Sequence, residues 1–180
     1  MTSDPIRFSD DQIAEVVRAA ALAEELVSEF YKMSASQWLR RRYDIKTASG
    51  LEPDEMVEGP YAQVIRYQGR PREASPMPMT FDFYAVCLQD PAILSTIEEQ
   101  KGMKLFPFVL YIIAHELIHI VRFSRFLQNF EATEPERIKE EARVHRITRE
   151  ILEPLGIDGM KTVLDYYGEW HKPFENLKQH

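Results

Sequence analysis

Cysteine is nearly absent from this chain: Cys87 is the only one in 180 residues. That excludes a disulfide framework and a zinc site built on thiolates. Basic charge is also scarce, with 22 Lys and Arg against 29 Asp and Glu and a formal net charge of −7. No nucleic-acid partner is expected, because phosphates need an excess of cations. The one basic cluster, Arg40-Arg41-Arg42, reads as the solvated side of a helix. Met1-Thr2-Ser3-Asp4-Pro5 has neither the basic nor the apolar region of a signal peptide. A single long apolar run, Leu105–Val121, invites a membrane reading. Three polar side chains in its second half make it short and costly for a bilayer. A cytoplasmic protein with no membrane partner is expected.

The composition that remains is ordinary for a folded domain, 44% hydrophobic and 28% charged. One domain over residues 1–180 is expected, large enough to bury a core without staples. Ser9 is placed to cap a first helix running to about Met33, and Ser36–Tyr43 suits a second. These make residues 1–50 a helical N-terminal part, followed by an irregular stretch from Leu51 to Pro60. Residues 60–90 suit a small sheet of two strands, Tyr61–Tyr67 and Thr80–Leu88. Gln68–Met79 between them, with Gly69, Pro71, Pro76 and Pro78, is expected to be a mobile flap.

Asp90-Pro91 provides an N-cap and first-turn proline for a helix to about Gln100. Residues 104–156 hold two further helices, the first continuing to about Phe130 and the second opening at Glu134-Pro135. Residues 157–180 form a last helix, Gly159–Trp170, and a tail. The fold class is α+β, helix-dominant, with a small antiparallel β-sheet.

Inside the apolar run stands His115-Glu116-Leu117-Ile118-His119. Residues four apart share a helix face, so His115 and His119 can aim ring nitrogens at one metal ion. Glu116 is turned about a quarter of the circumference away, where its carboxylate reaches a water on that ion. A hydrolytic zinc wants a third protein ligand and an open position. On a helical wheel of Glu134–Leu152 the apolar arc holds Ile138, Ala142, Val144, Ile147, Thr148, Ile151 and Leu152. Glu141 and His145 fall inside that arc and Glu140 near its edge. A carboxylate on the buried side needs a partner to neutralise it, which makes Glu141 the third-ligand candidate. His145, four positions on, is placed either to bind the metal or to orient a ligand.

His115-Glu116-xx-His119 with Glu141-xxx-His145 resembles the gluzincin branch of the HExxH zinc metallopeptidases, or zincins. The stretch Glu141–Pro154 is similar to the glutamate helix of small intracellular peptidases that cleave regulatory proteins. The likeness covers residues 106–154 and nothing N-terminal. Two positions depart from it: His145 stands where Asp or Asn is usual, and Val144 replaces a small residue.

The resemblance implies a zincin-like pair of active-site helices with the small sheet packed on them, and Zn²⁺ held by His115, His119 and Glu141. Glu116 would be the general base that activates the metal-bound water against a peptide bond of a peptide or protein substrate. Tyr166, Tyr167 and His171 are candidates to stabilise the oxyanion. An extended substrate is expected to pair with Thr80–Leu88. The alternative is a non-catalytic, metal-stabilised binding or regulatory domain whose site is saturated by His115, His119, Glu141 and His145. Cys87 is expected to be a small buried hydrophobe.

Overall fold

The computed structural model describes residues 5–40, 43–69, 81–125 and 131–168. Helix α1 (Asp10–Tyr31) begins at a reciprocal capping box between Ser9 and Gln12, with Asp10 and Asp11 in the first turn. It buries Val16, Ala19, Ala23 and Val27, one stripe at helical spacing. Lys32, in the left-handed region at φ 54°, ends it, two residues short of Met33. Helix α2 (Ala35–Arg40) is a short turn rather than the helix to Tyr43 that the sequence suggests.

Tyr43 instead opens β1 (Tyr43–Lys46), which pairs in parallel with β3 (Phe81–Leu88). On the other side β2 (Ala62–Gly69) pairs antiparallel with β3, Ala62 opposite Leu88 and Gly69 opposite Phe81. The sheet is therefore three-stranded and mixed, in the order β1-β3-β2, and not the simple antiparallel pair expected. β3 is its centre: Tyr84 through Leu88 are all buried, as a strand covered on both faces must be. Over Tyr84–Cys87 β3 has a neighbour on each side, so that stretch offers no edge to the substrate strand expected there. The free edge nearest the site belongs to β2.

Helix α3 (Asp90–Glu99) starts at Asp90, but Asp90 is not its cap. Its buried carboxylate accepts the amides of Phe8 and Ala48, both at 2.9 Å, tying two distant segments to the sheet's end. Helix α4 (Leu105–Ser124) carries buried residues around its whole circumference and packs against α1, α3, α5, α6 and the sheet. It is, among the described residues, the one helix long and apolar enough to cross a bilayer; 89% of that stretch is buried inside the fold. It ends at Ser124 with Arg125 as C-cap, and 126–130 of the expected continuation lie outside the described residues.

Helix α5 (Glu134–Leu152) opens on a Thr133–Glu136 capping box with Pro135 in the first turn. Helix α6 (Met160–Gly168) follows Gly159, whose φ of 80° suits glycine. A Cβ there would meet Pro107 Cγ at 3.1 Å, so this glycine lets α6 close onto the first turn of α4. One hydrophobic core runs from Phe8 to Leu164. The architecture is α+β with helix dominant. Of the expected flap Gln68–Met79, Gln68 and Gly69 are instead paired in β2, and 70–79 lie outside the described residues, as does the tail beyond Gly168.

Candidate metal centre

The centre lies where α4 and α5 face each other. His115 and His119, one turn apart on α4, are both buried, and α5 brings Glu141 against them. Glu141 Oε2 is 3.1 Å from His115 Nε2, and Oε1 is 2.8 Å from His119 Nε2. The two Nε2 atoms are 3.2 Å apart. Zinc bonds of about 2.0–2.2 Å place tetrahedral ligand atoms about 3.3–3.6 Å from one another. The three side chains thus converge on one point at separations shorter than these, the two to Glu141 running to its two different oxygens. Two imidazoles and a carboxylate are also a donor set that zinc takes. The residues present fit the ion.

Electrostatics agree. Burial pushes the Glu141 carboxyl up, but the charges of His119 and His115 and their hydrogen bonds outweigh it and hold the group well below the usual carboxylate range. His115 Nδ1 is buried without a hydrogen-bond partner, so the ring's polar engagement lies wholly at Nε2. This departs from the usual arrangement, in which the outer nitrogen of a ligand histidine donates to a carbonyl or carboxylate.

His145 comes to the same place. Its Nε2 is 3.8 Å from Glu141 Oε2, and His115, Glu141 and His145 offer ligand atoms all within 4.8 Å of one another. Its Nδ1 is 2.7 Å from the hydroxyl of Tyr111, a residue the sequence did not single out. Tyr111 stacks on Tyr167 with ring centroids 4.0 Å apart, and burial pushes its hydroxyl far above the usual tyrosine range, so it stays protonated.

Half-buried Glu116 lines a small cavity of about 30 Å³, room for a water molecule, together with Tyr61, Ala62, His115, His145 and Tyr167. Of the oxyanion candidates, Tyr167 lines this cavity, whereas the Tyr166 hydroxyl is bonded to that of Tyr61, which Thr96 also reaches at 2.9 Å. His171 lies outside the described residues. Cys87 is fully buried in β3, its thiol pushed by burial up to about 11, and stands as the packed hydrophobe expected.

Sequence reasoning also missed the clamp that holds the two ligand helices together. Arg122, three residues after His119, donates from Nε to Glu140, the neighbour of Glu141; both are buried, and exposed Arg143 joins Glu140 at 3.1 Å. On the wheel Glu140 sat at the edge of the apolar arc, yet it is buried more deeply than Glu141. The available signal was Arg122 itself, a cation in an apolar helix that needs a buried acid. Comparison of the chain with protein-family models, with curated proteins and with solved structures finds no match in any of the three.

Proposed function

We propose that this protein is a zinc-dependent peptidase of the HExxH type, with zinc held by His115, His119 and Glu141 and with Glu116 as the general base. The observation that carries this reading is the convergence of His115 Nε2, His119 Nε2 and the two oxygens of Glu141, at separations of 2.8–3.2 Å, beside a water-sized cavity that Glu116 lines. When bound, zinc supplies a Lewis acid and makes a water acidic enough to be deprotonated near neutral pH. Glu116 would be the base that accepts that proton and passes it to the leaving amine. Tyr167, on the cavity wall, is the candidate to donate to the developing oxyanion. The peptide lies along β2, whose outer edge has no partner strand among the described residues and whose first residue, Ala62, lines the same cavity with Tyr61 before it.

Glu116→Gln keeps the shape and removes proton acceptance. The zinc-loaded variant should fall at least about 10²–10⁴-fold below wild type on a mixed peptide library, with its zinc retained. A zinc-loaded wild type that leaves every peptide intact, or a Gln variant that matches wild type, contradicts the reading. A second reading, a saturated four-ligand metal site without turnover, is favoured by the grouping of His145 with His115 and Glu141.

A further inference from the structure

We infer that the Arg122–Glu140 ion pair positions the metal ligands: it sets Glu141 opposite His115 and His119, and through that it governs how tightly the ion is held. The inference rests on the zinc reading for its consequence.

The polar contacts between α4 and α5 run in order along both helices. Tyr111 meets His145, His115 and His119 meet Glu141, and Arg122 meets Glu140. The helices therefore pass each other in opposite directions. The ion pair stands just beyond the ligands, three residues after His119 on α4 and next to Glu141 on α5. Its link is two-pronged: Arg122 donates from Nε to Glu140 Oε1 and from Nη2 to Oε2, the second at 3.3 Å. A planar guanidinium set on a planar carboxylate in this way fixes orientation as well as distance.

Stability does not explain the pair. Taking two charges out of water costs about what their attraction returns, so replacing a buried ion pair by apolar residues of similar size is often neutral or stabilising. What apolar contacts lack is direction. Val144 and Ile147, buried further along α5, hold the helix against the core without fixing its height or its roll. Successive helix residues differ by about 1.5 Å in height, whereas a metal tolerates about 0.2 Å in its ligand distances. Holding Glu140 by both oxygens removes that freedom from Glu141 beside it.

The test titrates the metal-free full chain with Zn²⁺ against a chromophoric chelator, while urea midpoints follow the stability of the same metal-free samples. Arg122→Met combined with Glu140→Leu should keep a midpoint near that of wild type and bind zinc about 10–100-fold more weakly. Arg122→Lys keeps the charge but loses the fork, so its zinc affinity should fall between the two; it decides the matter if the double variant does not fold. Variants that bind zinc as tightly as wild type overturn the inference. A loss of affinity that only tracks a loss of midpoint also overturns it, because that marks a purely structural role. A wild type that takes up no zinc overturns the zinc reading itself, a result distinct from wild type and variants that bind alike.

Discussion

Single carboxylates decide much in this molecule, and each has a different task set by its neighbours. Glu141 collects two histidines, Glu140 an arginine pair, and Glu116 faces a cavity. Glu55, far from the centre, is buried and bonded by Lys46 at 2.8 Å, the Glu52 amide at 2.8 Å and the Tyr67 hydroxyl at 2.7 Å. The Lys46 hydrogen bond first, then the Glu52 amide and Tyr67, lower its carboxyl from 4.5 to about 2. A folded-state pKa below the unfolded one gives stability that is fully present above 4.5 and is lost as pH falls toward 2. Glu55→Gln should therefore be less stable than wild type at neutral pH, with the gap closing through that window. Urea midpoints measured across the acid range check this, and a gap indifferent to pH would contradict it. The placing of Glu141 was legible from its apolar neighbours on the wheel and that of Glu116 from its offset to the histidines; the partners of Glu140 and Glu55 were not. Glu55 sits in an irregular stretch where no periodicity reports burial.

At the scale of elements, the centre is a junction of α4 and α5, and the Arg122–Glu140 pair beside it is the clamp that sets their register. Breaking a buried pair by removing one partner costs about 3–5 kcal/mol, because the survivor keeps its charge without compensation. Glu140→Leu leaves the buried Arg122 charge without its carboxylate and should approach that figure. Arg122→Met should cost less, because Glu140 retains Arg143. The double replacement should recover most of the loss, and denaturant unfolding of the three variants tests the order. Equal costs for the two single changes would show that Arg143 does not share the load. Long elements with strong patterns, α1, α4 and α5, were legible almost to their ends. The strand β1 was not: Tyr43-Asp44-Ile45-Lys46 alternates in character, but four residues after a helical turn give too short a period to read. The pairing that makes β3 central depends on that strand, so the order of the sheet was not legible either.

Across the whole molecule one core, from Phe8 to Leu164, holds the sheet and α6 around α4 so that their side chains meet at the cavity. Local pattern made the histidine pair and its glutamate legible, because one helix turn and one wheel suffice to align them. The contributions of Tyr61, Tyr111 and Arg122 arise only when distant elements close on one another, and no local spacing reports them. The central claim is that this closure builds a zinc site. Elemental analysis of protein purified without chelator tests it most directly, with wild type, Glu116→Gln and His119→Ala side by side. One zinc per chain in the first two and a loss of it in His119→Ala is the predicted result. A wild type without zinc, or a His119→Ala variant that holds as much as wild type, would contradict the account.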